Sequence, residues 1–575
     1  MTQLRIAPCG INAVKSLFLR RNFLRCQGLP LFCGDVLSIQ QSREIGCKND
    51  DCVELQNMST WGASRVGSHL GAFRTSFQLV AGLVFAISLV ACGGGTASTP
   101  ASTGPTPPSC SGSAASVAPA AKAAVATASA QALSALSPQY FGMHIDVGAI
   151  ATPPTLPWPA FGTSNYIPFG TIRMLSTETR WSDMDQGNGQ YDFSTLDLWR
   201  TLYQQNEVGN LAGDYQIMFT IYSVPKYISS DPTDACAFNS SSGHPPGSCD
   251  PPTDVCADGT GTDAAFTNFV TALAQHVNSD SLPKIHYWEI WNEPNNTPFW
   301  SGTLPQLARM AQDARCVIVG TNCNSLTTYP ATGIDPTSQM LTPPPVTTSD
   351  ETNTALNSPS GWMTAYLQAG GGQYADIIGF HGYVEPGDPV EGVLTVAQSI
   401  EPVASDAGFS SKPIWDTELG YSSADVTDPY TQAGWLAKAY LLQAGLGIQR
   451  VNWFEYGATN VGTLTLAGGG LDQAGIDYST LYSWLKGATA TGPCTSSGTV
   501  WTCGFTLASG AQAEAAWDSS QSCSNATGSE VCTFNTNFTP SSVYTTYEDL
   551  QGGTHSIATG STAPIGVEPI LLESP

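Results

Sequence analysis

Charged residues are scarce in this chain, 12% of 575 positions, and the basic ones are the scarcest. Of 21 Lys and Arg and 46 Asp and Glu, residues 1–91 hold 9 and 5, which leaves 12 basic against 41 acidic residues in the remainder. A surface of that sign repels phosphate backbones and argues against a nucleic-acid partner, while a neutral ligand is indifferent to it. The main apolar run, Phe77 to Val90, is too short to cross a bilayer comfortably. No G-x-G-x-x-G follows a strand-like segment, which disfavours a dinucleotide-binding open sheet. No two cysteines have C-x-x-C spacing and no histidine cluster accompanies them, so no metal site is expected.

What remains is a chain rich in Gly, Pro, Ser and Thr and 42% hydrophobic, enough for a full core and typical of exported, loop-rich proteins. Arg65 and Arg74 precede the apolar run, which closes on Leu89-Val90-Ala91-Cys92. That close resembles the lipobox of bacterial lipoproteins, which implies lipidation of Cys92 and anchorage at the cell envelope. An ordinary secretory signal is the alternative, and both export the protein. Met58 makes a conventional start for a 58–91 leader, so 1–57 reads as a misassigned upstream extension. Residues 92–133 then form the lipidated cysteine and a disordered tether without large apolar residues.

Besides Cys92, the exported part keeps ten cysteines. Proximity in sequence pairs Cys316 with Cys323, Cys494 with Cys503, and Cys523 with Cys532, leaving Cys110, Cys236, Cys249 and Cys256 for two bridges of open connectivity.

Over 134–487, eight strand-like segments ("YFGMHI", "TIRML", "QIMFTIY", "IHYWEIW", "LTTYPAT", "DIIGFHGY", "PIWDTEL", "RVNWFEY") mostly alternate with helical patterns. This predicts an α/β fold, a (β/α)8 TIM barrel, with a doubly wound sheet as the rival. Residues 488–575 carry short strands between Gly, Ser and Asn turns and predict a small antiparallel β-sandwich. Its Trp501 and Trp517 read as packing residues first and carbohydrate contacts second.

In a parallel barrel, working side chains gather at the C-terminal strand ends. In "HYWEIWNEPNN", Pro294 marks the end of strand four and leaves Glu293 at the rim, with Glu289 about 13 Å deeper as a polar group inside the barrel. In "KPIWDTELGYS", Glu418 ends strand seven and Asp416 lies roughly 7 Å deeper. Strands four and seven face each other across a barrel, so Glu293 and Glu418 can meet over its mouth. Two carboxyl groups about 5 Å apart are what retaining glycoside hydrolysis requires.

"WEIWNEP" followed by "WDTELGY" resembles clan A of the glycoside hydrolases, and "YDFSTLD", "WEIWNEPN" and "DIIGFHGY" look closest to family 39. The resemblance implies Glu293 as general acid/base, Glu418 as nucleophile, and Asn292 as a donor to the sugar 2-hydroxyl. It implies that Arg173 keeps Glu418 ionised, that His381 and Tyr383 reach that carboxylate or the sugar, and that Trp453 floors the site. Trp181, Glu178 and His144 are further candidates for sugar contact, and Glu455 is the competing carboxylate. Each also has a plain structural reading as a core aromatic, a satisfied histidine or an ion-pair partner.

The function expected is retaining hydrolysis of a β-linked poly- or oligosaccharide, by a route needing no cofactor. A glycan-binding lipoprotein without catalysis, or a transglycosylase using the same residues, are the alternatives. The partners expected are a carbohydrate and, through the lipid anchor, a membrane.

Overall fold

The structure is a computed structural model. It describes residues 133–575 except 146–162, 165, 176, 208–214, 237–244, 297, 349–355, 423–424, 458–460, 467–469, 525–530 and 533–535. The upstream extension, the leader, Cys92, Cys110 and nearly all of the tether lie outside the described residues.

Eight strands form one parallel sheet: β1 (Phe141–His144), β2 (Thr171–Met174), β3 (Gln216–Ile221), β4 (Ile285–Ile290), β5 (Gln339–Leu341), β6 (Ile378–His381), β7 (Ile414–Leu419) and β8 (Arg450–Trp453). Their order is β5-β4-β3-β2-β1-β8-β7-β6. A parallel bridge between Leu341 and Ile377, with Thr342 N donating to Ile377 O at 3.0 Å, draws the two end strands together into a nearly closed barrel.

Seven helices follow β2 to β8 in turn: α1 (Ser194–Glu207), α2 (Ala264–Ser279), α3 (Leu304–Ile318), α4 (Pro359–Gln368), α5 (Gly392–Asp406), α6 (Pro429–Gly445) and α7 (Gln473–Leu485). Their starts are written in the sequence. Thr303 caps α3 in a reciprocal box with Gln306, and Asp428 caps α6 by accepting from Thr431 N at 2.9 Å, each with Pro in the first turn. This is the fold of a (β/α)8 TIM barrel.

One strand is displaced from its expected place. "LTTYPAT", residues 326–332, is an irregular surface segment, and β5 is the three-residue stretch Gln339–Leu341. Pro330 cannot donate to a ladder, whereas Met340 and Leu341 are buried between β4 and β6. A strand this short, followed at once by Pro343-Pro344-Pro345, carries no alternation to detect.

Side-chain parity decides what faces the barrel interior. On β1 and β8, Phe141 and Trp453 turn outward onto Tyr440 of α6, while Gly142 and Asn452 turn inward together. The parity of β7 is broken by ladder irregularities opposite Phe380/His381 and Val451/Trp453. Asp416 therefore faces out, with its Oδ2 accepting from Gln443 of α6 at 2.9 Å, whereas Glu418 faces in. The irregularity re-aims the strand end.

The C-terminal region forms a seven-stranded sheet whose described ladders are antiparallel. A separate two-strand ladder (Thr536–Phe538 with Ala563–Ile565) packs Ala563 and Ile565 on Ala516, Ile570 and Leu572 of that sheet. Fully buried Trp517 stacks on Trp501 and donates Nε1 to Glu391 of the β6–α5 loop at 2.7 Å, so these tryptophans pack the sheet against the barrel. Disulfides join Cys236–Cys249, Cys316–Cys323 and Cys494–Cys503. Cys256 and Cys523 are also disulfide-bonded, and Cys523 stands opposite Cys532 in its ladder.

A Cβ at position 142 would overlap Asn452 Oδ1 and approach the Asn452 Cα to 3.1 Å. Gly142→Ala is expected to cost about 1–3 kcal/mol through overpacking, read as a lower urea midpoint with an unchanged m-value.

Candidate active site

Glu293 follows β4 on a segment that enters the left-handed region twice, at Trp291 (φ 78°) and Glu293 (φ 39°). Non-glycine residues hold such angles only when their surroundings fix them. Here Trp291 donates its backbone N–H to Ile221 O at 2.8 Å and its indole N–H to Phe299 O at 2.6 Å. Asn295 next anchors the loop by exchanging hydrogen bonds with the Val346 backbone. The glutamate is thus aimed by its neighbours.

Arg173, fully buried at the end of β2, organises the interior. Its Nε donates to Glu289 Oε1 at 2.9 Å, its Nη1 to Glu418 Oε2 at 2.6 Å, and its Nη2 to Asn292 Oδ1 at 2.9 Å. Nη2 also bonds Glu289 closely, and Thr220 Oγ1 donates to the same glutamate oxygen at 2.8 Å. Glu289 is accordingly the ion-paired interior group expected. Burial by itself would lower Arg173, but Glu289 and Glu418 outweigh it and hold the guanidinium above its ordinary range. The charge is locked in.

Glu418 receives two donors, Arg173 and, at 3.1 Å on Oε1, the Tyr383 hydroxyl. Burial lifts it above the usual carboxylate range and Glu293 adds to the lift, while His381, Arg173 and the Tyr383 bond pull it back. Glu293 has weaker company: Asn296 Nδ2 lies 3.4 Å from Oε2, and His381 Nδ1 lies 2.9 Å from Oε1. Burial pushes Glu293 up to about 7, against smaller opposing pulls from Asn296 and Arg173. One carboxyl is equipped to stay anionic and the other to hold a proton near neutrality.

His381 sits between them. Its Nε2 is 3.9 Å from Glu418 Oε2, and ligand atoms of Glu293, His381 and Glu418 all lie within 4.8 Å of one another. Burial, the leading cause, lowers His381 to about 4, so near neutrality the ring carries one proton. With Glu293 protonated, Nδ1 accepts that proton's hydrogen bond and the ring N–H faces Glu418; with Glu293 anionic, Nδ1–H donates instead. The ring can serve both protonation states without moving.

The other expected contacts are placed differently. Trp453 has no exposed surface; its indole donates to Gly462 O at 2.6 Å and packs against Tyr421, Trp435 and Tyr440. Trp181 is also fully buried, stacked on Phe269 of α2. Neither presents a ring face to a sugar, and both are core residues. His144 is buried, with Nε2 3.2 Å from Thr417 O and 3.3 Å from Arg173 Nη1; that one nitrogen donates to the carbonyl or accepts from the guanidinium, not both. Glu178 is exposed and Glu455 is buried. The aromatic beside the site is half-buried Phe454, edge-on to His144 at 5.1 Å. Sequence reading chose its neighbour, and the signal missed was parity. Arg450 and Asn452 point inward, so 454 does and 453 does not.

No protein-family model and no curated protein matches the chain. Solved structures do. A family 39 glycoside hydrolase from the gut symbiont Bacteroides cellulosilyticus WH2 is 16% identical, with 76% of this chain and 81% of that one covered at a TM-score of 0.49. A GH30 endoxylanase from Clostridium papyrosolvens C71 is 10% identical, with 78% and 97% covered at 0.46. A GH51 arabinofuranosidase from Xanthomonas axonopodis pv. citri is 11% identical, with 78% and 98% covered at 0.46. All three are glycoside hydrolases. Likeness at this level carries nothing about activity, which the side chains have to supply.

A carboxyl whose folded value lies above its unfolded one contributes fully at low pH, and that contribution is lost as pH rises through the folded value, here about 7. Glu293→Gln removes this ionisation. The variant should therefore gain about 3 kcal/mol on the parent between about pH 4 and about pH 8. Urea titrations at both ends measure it, and a pH-independent difference would contradict the burial of a titrating carboxyl.

Proposed function

We propose that this protein is a retaining glycosidase acting on a β-linked poly- or oligosaccharide by double displacement. The observation that carries the reading is the approach of the Glu293 and Glu418 carboxyl oxygens to within 4.8 Å. That spacing suits direct attack by one carboxylate; inversion needs room for a water, about 6.5–9.5 Å.

In the first step Glu418 attacks the anomeric carbon and forms the glycosyl–enzyme bond, while Glu293 gives its proton to the departing glycosidic oxygen. In the second, anionic Glu293 takes a proton from water, water attacks the anomeric carbon, and Glu418 leaves as carboxylate. Arg173 and Tyr383 keep Glu418 ionised and oriented before attack. Because the Asn292 amide oxygen is held by Arg173, its N–H2 is directed away from that partner and serves as the donor to the 2-hydroxyl. His381 accompanies the proton of Glu293 through both steps. The leader and Cys92 fit an exported, lipid-anchored enzyme at the cell envelope.

Screening the purified chain on plant and bacterial polysaccharides, with the first-formed anomer read by NMR, tests the proposal. Retention is expected; inversion, or tight binding without turnover across the panel, would overturn it. Glu418→Gln should abolish turnover. Glu293→Gln should lose about 10²–10⁴ in kcat on glycans but far less on aryl glycosides, whose leaving groups need no proton. The parent's kcat/KM should fall as pH rises through about 7, where Glu293 loses its proton, and this limb should vanish in the variant.

A further inference from the structure

The opposite end of the barrel holds a second buried guanidinium. Arg450 begins β8, is 7% exposed, and packs on the edge-to-face ring pair of Tyr287 and Trp415, 4.3 and 4.0 Å from their centroids. All its hydrogen-bond partners are neutral: Thr171 Oγ1 at 3.0 Å, the Tyr287 hydroxyl at 2.8 Å, and Gln216 Oε1. None of the ion pairs among the described residues includes it. Its counterpart Arg173 has two glutamates; Arg450 has none, and burial pulls it down to about 10 despite the opposing effect of Tyr287.

A buried charge without a counter-charge is a poor way to strengthen a barrel floor, where a well-packed apolar side chain would do better. The two rings compensate only in part. Arg450 also lines an open cavity of about 310 Å³ at this mouth, together with Gln339, Gln449, Ser134 and Ser137. That volume is at the lower end of small-molecule sites. The segment 55–132 leading into Leu133 carries no acidic side chain, since no Asp or Glu occurs between Glu54 and Asp146.

We propose that the N-terminal mouth of the barrel binds a small carboxylate-bearing molecule, its carboxylate on Arg450 and its polar groups on the surrounding amides and hydroxyls. With both Nη2 hydrogens taken by Gln216 and Tyr287, Arg450 keeps Nε–H and one Nη1–H for a ligand, and with no second cation in the cavity wall this suits a single carboxylate better than a phosphate dianion. The site is separate from the acid pair, which sits at the other strand ends.

Calorimetric titration of the full chain with glucuronate, citrate and inorganic phosphate, at ionic strength matched with sodium chloride, tests this. A carboxylate should bind saturably with a dissociation constant on the order of 1 mM, and a thermal shift should accompany it. Glu418→Gln should bind as the parent does. Arg450→Gln should lose binding, and Gln339→Glu, which sets a carboxylate on the cavity wall, should weaken it at least about tenfold. If Arg450→Gln does not fold, the Gln339→Glu result decides. Absence of saturable carboxylate binding, phosphate binding alone, or unchanged binding in the folded variants would overturn the proposal.

Discussion

The guanidinium of Arg173 is the interaction on which the site is built. It sits where water does not reach, and its fork ties together residues brought in by two strands: Glu289 and Asn292 from the end of β4, and Glu418 from β7. Removing one partner of such a group strands the others as uncompensated charges in a low-dielectric interior. The same cation that holds the barrel's inner layer together also biases Glu418 toward its ionised form. Architecture and reactivity therefore share one residue.

With Arg173 committed to Glu289 and Glu418, no equally close cation remains for Glu293 among its described partners. This asymmetry, more than any difference between the glutamates themselves, divides their roles. Two carboxyl groups this close cannot both ionise cheaply, so the proton settles on the one with weaker support. His381 fits because it is neutral: a cationic ring, 2.9 Å from Glu293 and 3.9 Å from Glu418, would drive the proton off Glu293, whereas a neutral ring accepts from one state of Glu293 and donates to the other.

Much of this was legible in the sequence because it follows from strand ends. Pro294 after Glu293 and Gly420 after Glu418 mark where ladders stop, and the rim of a parallel barrel is where those ends lie. Glu289 as an interior group came from the same reasoning, whereas the Arg173–Glu418 pair and the Tyr383 contact came from the family resemblance. The misplacing of Trp453 has one cause, the assumption that an aromatic near a strand end faces inward. Trp453 faces the helices, and Phe454, one residue on, takes the inner position. The inward turn of Glu418 itself depends on a ladder irregularity that simple alternation from inward-facing Trp415 would not give. β5 was missed because three residues ahead of three prolines carry no period.

Between the two arginines lies an apolar layer of Met218, Leu341, Ile377 and Trp415, backed by Tyr287. Unscreened charges interact strongly across a dry interior, and two like charges stacked in one lumen would ordinarily destabilise each other. Arg173 avoids this by being paired with two glutamates, Glu289 and Glu418. Among the described residues Arg450 has only rings and neutral acceptors around it, while Glu289 turns one oxygen to Arg173 and Thr220. The barrel thus keeps its two cations in unlike states, one paired with glutamates and one open to receive an anion, on the two strands that flank β1.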